Sequence, residues 1–312
     1  MLLRLNPGDF GRLFSEGIEP EPAAPRAARR LRRQAALREN LAVRAQRLLR
    51  VIGRFARPMQ VVDLPATFDL LLRERLIRPG RLPDPRFALS SADGLAGLAT
   101  DLEPAAMIEA YGKGLSPSAC LGPIAWHSRP RRFVAAPADI AREFASPGAG
   151  GLDPGWAVTF DRDVDFVLAQ SGRPPDHSAI MPARLLGGFA ELFDAGFAHS
   201  FEVRDAAGQT IGGGFGVAVG GVFVLEGAFE LASGAARRGL SQLARRLGEW
   251  NFAAIECAPG AAWLGAEVFR AMPREDYLSL IARSMGDEKT GRWRNDPVAA
   301  SPPLADGRRL AA

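Results

Sequence analysis

The chain has 312 residues, 47% of them hydrophobic and 24% charged, with 39 basic and 35 acidic side chains for a formal charge of +4. That size and apolar content suit a globular protein with one large or two modest domains and exclude a disordered or fibrous chain. Two cysteines, Cys120 and Cys257, without CxxC spacing, suggest neither a disulfide framework nor a zinc site, and no membrane span or export signal is expected.

Residues 1–24 are rich in Pro, Gly and acids and read as a loosely ordered lead. Between Arg26 and Arg57 there are eleven arginines and a single acid, Glu39. Leu31, Ala35, Leu41, Leu48, Ile52 and Phe55 recur there at helical steps, so a basic amphipathic helix is expected. Its charge fits an acidic partner, or equally a solvated face in an arginine-biased chain, since only Lys113 and Lys289 are lysines. A mixed segment runs to about Leu95. A short helix is expected from Glu103 to Tyr111, followed by a loop to Trp126.

After a Gly/Pro linker at 147–155 the pattern alternates. It predicts a strand at 156–160, helices at 164–170 and 182–195, strands at 199–205, 209–219 and 222–226, a helix at 235–251 and a strand at 252–257. The two long strands form a hairpin whose Gly220-Gly221 turn supplies two positive-φ positions, and Glu226 is expected to end the second strand. As a lone carboxylate, Glu226 reads either as a site residue or as a strand-end acid facing water. His127, His177 and His199 lack metal-ligand spacing, so no metal site is expected.

Several short motifs fall in one order: Ala110-Tyr111-x-x-Gly114, Ile124-x-Trp126-x-Ser128-x-Pro130-Arg131, Thr159-Phe160-Asp161, His199-Ser200-x-Glu202-Val203, the glycine-rich hairpin to Glu226 and Phe229, Ile255-x-Cys257 and Met272-Pro273-Arg274-x-x-Tyr277-Leu278. From Leu102 to about Met285 this string resembles the leucyl/phenylalanyl-tRNA-protein transferase family. The resemblance and the element order imply an α/β fold of the GNAT acyltransferase type. The domain plan expected is a basic, mainly helical extension at 1–95, a small α/β subdomain at 96–155, a GNAT-like domain at 156–290 and a flexible tail at 291–312.

The activity implied is transfer of an amino acid, Leu- or Phe-like, from aminoacyl-tRNA to the N-terminal amine of an acceptor protein beginning with Arg or Lys. No metal or organic cofactor is implied, and a cytoplasmic monomer is expected. By resemblance, Glu226 pairs with the cationic N-terminus of the acceptor, Glu256 orients its amine, and Trp126 with Phe229 surrounds the donor side chain. His199 and Ser200 hydrogen-bond within the site, though a structural strand histidine explains His199 as well. Phe229 reads also as plain core. Arg131, Arg132, Arg237 and Arg274 are the expected tRNA or phosphate contacts.

The sequence departs from the family pattern at Glu256, where the family has Asp, at Ala258, where it has Gln, and at Ser116, Ser118, His127 and Trp263. Ala258 has no side-chain atom to continue a proton relay. Two further readings follow. One is a GNAT acyltransferase using a CoA or carrier thioester, with Arg237-Arg238-Gly239 at a helix start as the phosphate loop. The other is a catalytically impaired homologue that keeps tRNA or N-degron binding.

Overall fold

The computed structural model describes residues 82–90, 94–119, 124–144, 155–172, 181–264 and 267–285, together with Leu72 and Trp293. The expected basic helix at 26–57, the lead at 1–24, the linker at 147–154, Cys120, His177 and all of the tail but Trp293 lie outside the described residues.

The fold is mixed α/β. In chain order the elements are β1 (Leu95–Leu98), α1 (Pro104–Gly112), β2 (Ser116–Ala119), β3 (Ile124–His127), β4 (Arg131–Ala135), α2 (Pro137–Glu143), β5 (Ala157–Phe160), α3 (Val164–Ser171), α4 (Ala183–Asp194), β6 (Ala198–Arg204), β7 (Thr210–Val219), β8 (Val222–Glu230), α5 (Ala235–Glu249), β9 (Ala254–Cys257), β10 (Arg270–Pro273) and α6 (Arg274–Ser284). A three-stranded sheet has the order β1-β3-β2, and a seven-stranded sheet has the order β10-β4-β9-β8-β7-β6-β5. Every pairing is antiparallel except β8 with β9, which α5 joins as a crossover.

Period-2 burial sorts the side chains of the large sheet between two apolar layers. Phe201, Val203, Phe223, Leu225 and Ile255 face Leu240, Leu243 and Leu247 of α5. Val217, Val222, Val224 and Ala254 face the other layer, which contains Met107 and Tyr111 of α1, Val167 of α3, Phe189 of α4 and Tyr277 of α6. The amphipathic helix α5 buries its alanines and leucines and turns its arginines away from them.

The hairpin forms as expected, but two of its details differ. Val219 pairs with Val222 across the turn, yet among the described residues only Gly220 of the glycine pair has positive φ, +55°; this is the pattern of a type II′ turn, which needs φ > 0 at its first central position alone. The second strand does not stop at Glu226 but continues to Glu230. Phe215 pairs with Gly227 and Gly216 with Leu225, which leaves Glu226 as the extra residue of a β-bulge. The bulge reverses the strand's parity: Phe223 and Leu225 face the α5 layer before it and Ala228 after it, while Phe229 joins Val224 on the opposite face.

The segment expected to be a small separate subdomain is divided between the sheets. Strand β4 pairs with β9 and β10 within the seven-stranded sheet, and β1, β2 and β3 form the smaller one. The loop expected before Trp126 contains β2 and most of β3.

Candidate active site

Three adjacent strands bring the polar cluster together. In β4 and β9, Val134 pairs with Glu256; in β9 and β8, Glu256 pairs with Val224. Arg132, two residues from Val134, and Glu226, two residues from Val224, therefore share a sheet face with Glu256. Tyr111 of α1 and Tyr277 of α6 close over that face; they are the only two tyrosines of the chain, and both are buried.

The two carboxylates have different partners. The Tyr111 hydroxyl donates to Glu226 Oε1 at 2.6 Å. Arg132 Nη1 donates to Glu256 Oε1 at 2.6 Å, in an ion pair whose side chains are 1% and 3% exposed. Arg132 Nη2 donates to the Gly114 carbonyl, and its guanidinium lies 4.6 Å from the Tyr277 ring centroid. Gly114 reaches this position with φ +73°, a conformation that suits glycine. Glu256 Oε2 is buried without a hydrogen-bond partner among the described residues.

Burial dominates the electrostatics. It pushes Glu226 from 4.5 up to about 7; the Tyr111 hydrogen bond opposes this, Glu256 adds to it, and Arg129 and Arg132 oppose it. Burial first, and then the charge of Glu226, holds the Tyr111 phenol well above its usual range. Burial and Glu256 do the same to Tyr277. Cys257, beside the pair, is pushed up to about 12 by burial, so it is an unreactive thiol at neutral pH. Among the described residues, the arrangement offers a buried carboxylate without an ion-pair partner and, next to it, a carboxylate oxygen free to accept a hydrogen bond.

The other expected site residues divide between this cluster and other places. Trp126 on β3 and Phe229 on β8 are buried in the same apolar layer as Tyr111, and Phe229 meets Phe166 edge-on at 5.8 Å. His199 lies on the opposite face of the sheet from Glu226. Its Nδ1 is 3.0 Å from Asp161 Oδ2, and its ring stacks on Trp293 at 3.6 Å with 3° between the planes. Asp161, at φ +55°, also accepts from the backbone N–H of Ser200 and of Trp293. Ser200 Oγ donates to Glu202 Oε1, and Glu202 also accepts from Thr159 and the N–H groups of Arg162 and Asp163. The His-Ser-x-Glu run thus clamps the β5–α3 turn and the Trp293 backbone.

Of the arginines expected at phosphates, only Arg131 is plainly exposed. Arg132 is placed instead inside the carboxylate cluster. Arg274 ties residues 88 and 89 down by donating to the Ala88 and Leu89 carbonyls at 3.1 and 3.0 Å. Arg237 donates to the Leu264 carbonyl at 3.0 Å and lies 5.9 Å from the Phe144 ring. At the start of α5, Glu230 Oε2 accepts the Gly234 N–H at 3.1 Å, so a carboxylate already sits where a phosphate loop was considered. Tyr111 and Tyr277 were not expected in the site, although each is the aromatic of one of the short motifs and tyrosine is rare in this chain. Among the described residues no cluster of three or more His, Cys, Asp or Glu has metal-site geometry.

Residues 152–282 match the family described as leucyl/phenylalanyl-tRNA protein transferase. A leucyl/phenylalanyl-tRNA–protein transferase of Myxococcus xanthus is 32% identical over 72% of this chain and 96% of its own length. Proteins of the same name from Thiobacillus denitrificans and Syntrophus aciditrophicus are 31% and 32% identical, over 72% and 69% of this chain and 100% and 92% of their own lengths.

Proposed function

The chain belongs to the leucyl/phenylalanyl-tRNA protein transferase family, and from that premise we propose that it moves leucine or phenylalanine from a tRNA ester to the α-amine of a protein beginning with Arg or Lys. The observation that carries the reading is Glu226: a fully buried carboxylate in contact with a phenol and, among the described residues, with no ion-pair partner. A buried anion without a cation is costly, and a cationic ligand removes that cost. The acceptor's charged N-terminus is such a ligand.

In this scheme Glu256 Oε2 accepts a hydrogen bond from the α-amine and aims its nitrogen at the ester carbon, while Arg132 and Tyr277 hold Glu256 still. Trp126 and Phe229 supply apolar wall for the donor side chain. Arg131 is the exposed cation proposed to meet tRNA phosphate; His199 supports the fold from the far side of the sheet, and Ser200 supports it through Glu202. A GNAT-like arrangement over 156–290 is part of the proposal. It is supported by the sequence β5-α3-α4-β6-β7-β8-α5-β9, with β8 and β9 parallel up to Leu225 and the bulge at Glu226 just beyond that pairing. The proposed setting is a cytoplasmic monomer; no helix among the described residues is long and apolar enough to cross a membrane. The thioester alternative is not favoured, because the Glu230 carboxylate at the start of α5 would repel a pyrophosphate.

The test is single-turnover transfer from radiolabelled leucyl- and phenylalanyl-tRNA to acceptors identical except for a first residue of Arg or Glu. Label on the Arg-starting protein alone supports the reading. No label on either acceptor, with enzyme in excess, sinks it.

A further inference from the structure

Resting on that reading, we propose that Glu226, seated against Tyr111, takes the proton from the acceptor's α-ammonium, while Glu256 only holds the nitrogen in place. The partners of the two carboxylates set them apart. Glu256 is ion-paired with Arg132 at 2.6 Å. Protonating Glu256 would leave Arg132 as a buried cation without its counter-charge, an arrangement that proteins avoid. Glu226 touches a neutral phenol, so protonating it strands nothing. Tyr111 occupies Oε1 and leaves Oε2 for the incoming proton, and the Tyr111 bond to Oε1 survives the transfer.

The surroundings agree with this division. The groups facing Glu226 are Tyr111 from α1, Glu256 from β9, Arg129 and Arg132 at and before β4, and Tyr277 from α6, with Cys257 of β9 on the sheet's other face. Their sum, led by burial, brings Glu226 up to about 7, the range in which a general base works best at neutral pH. A path from Glu256 through residue 258 is closed, because Ala258 has no side-chain donor or acceptor.

The steps balance. A proton passes from the α-ammonium to Glu226 Oε2, and the freed lone pair forms the C–N bond to the ester carbon. The carbonyl reforms as the C–O bond to the ribose breaks, the second proton on nitrogen goes to the departing ribose oxygen, and Glu226 returns its proton to water.

The experiment is the pH profile of single-turnover transfer for wild type, Glu226→Gln, Tyr111→Phe and Glu256→Gln, with thermal unfolding of each variant to separate lost fold from lost chemistry. Glu226→Gln is expected to lose about 10-fold at pH 7, where only about a tenth of an α-amine of pKa about 8 is neutral. It should regain most of that near pH 9, where an α-amine of ordinary pKa, about 8, is neutral unaided. Tyr111→Phe removes a bond that favours the anion, so the acid limb of the profile moves to higher pH. Glu256→Gln removes a neighbouring negative charge and moves it to lower pH. A Glu226→Gln defect equally deep at pH 7 and pH 9 overturns the proposal; so does an acid limb that stays put in Tyr111→Phe, the variant that keeps the test alive if Glu226→Gln does not fold. A limb that vanishes in Glu256→Gln and persists in Glu226→Gln assigns the base to Glu256 instead. Wild type that transfers at no pH removes the transferase reading itself, a result distinct from all of these.

Discussion

Arg132 has its charge in the interior, 1% exposed, between Glu256, the Gly114 carbonyl and the Tyr277 ring. Removing one member of such a pair leaves the other charge buried and uncompensated, which costs about 3–5 kcal/mol. Arg132→Met is therefore expected to lower unfolding stability in urea by that amount, and adding Glu256→Met to recover most of it. A single-variant loss below about 1 kcal/mol would mean that water reaches the pair. Glu226 gives a second prediction, one of pH linkage. Its ordinary value of 4.5 applies in the unfolded chain and about 7 in the folded one, so between these values the folded state binds more protons. The resulting stabilisation is complete below about 4.5 and lost as pH rises through about 7. Glu226→Gln should abolish this dependence, stabilising the protein by up to roughly 3 kcal/mol at pH 8 and little at pH 4, as read by urea unfolding at each pH. A variant no more stable at pH 8 than at pH 4, relative to wild type, would contradict the burial assigned to Glu226. Both carboxylates were legible in the sequence because they sit in ordered motifs. The fate of Arg132 was not, since a run of Arg131 and Arg132 on a strand says nothing of which one the sheet turns inward.

The elements most legible in the sequence are those whose own residues carry the period: β6, β7, β8, α3, α4 and α5 lie within a few residues of expectation. The strands β2, with the sequence Ser-Pro-Ser-Ala, and β10, with Arg-Ala-Met-Pro, were not legible. They are short, contain proline and owe their shape to a partner strand rather than to propensity. The bulge at Glu226 was equally invisible, because the parity change it makes is seen only once both layers are known. Closeness between elements is what the glycines encode. A Cβ at Gly239 of α5 would lie 2.4 Å from the Phe201 ring, whereas one at Gly187 of α4 would meet nothing within 4 Å. Gly239→Ala is expected to destabilise by about 1–3 kcal/mol, because helix and sheet must part. Gly187→Ala should stabilise by about 0.5–1 kcal/mol through helix propensity alone. Thermal unfolding of the two variants side by side checks both; equal shifts would show that α5 yields without cost.

At the scale of the molecule, charge is divided sharply along the chain. The stretch from Arg26 to Arg57 carries +10, so the remainder carries −6 within a total of +4. A tRNA substrate is a polyanion, and its attraction works through phosphate contacts that release counterions and therefore weaken steeply with salt. The acidic remainder cannot supply that attraction by its net field, and of the four arginines expected at phosphate, three point their hydrogen bonds inward. Long-range affinity for tRNA should then reside in the basic stretch, while local contacts such as Arg131 set the register of the acceptor end. In the full chain, changing Arg29, Arg30, Arg32 and Arg33 to Gln is expected to flatten the plot of log affinity for aminoacyl-tRNA against log salt by about 0.7–0.9 for each phosphate that is no longer neutralised. The rate of single-turnover transfer at saturating tRNA should stay near that of wild type, because the chemistry is assigned to Glu226 and Glu256. An unchanged slope would move the binding surface to the part of the chain that holds the cluster, and the +10 stretch would then be a solvated face without a share in catalysis.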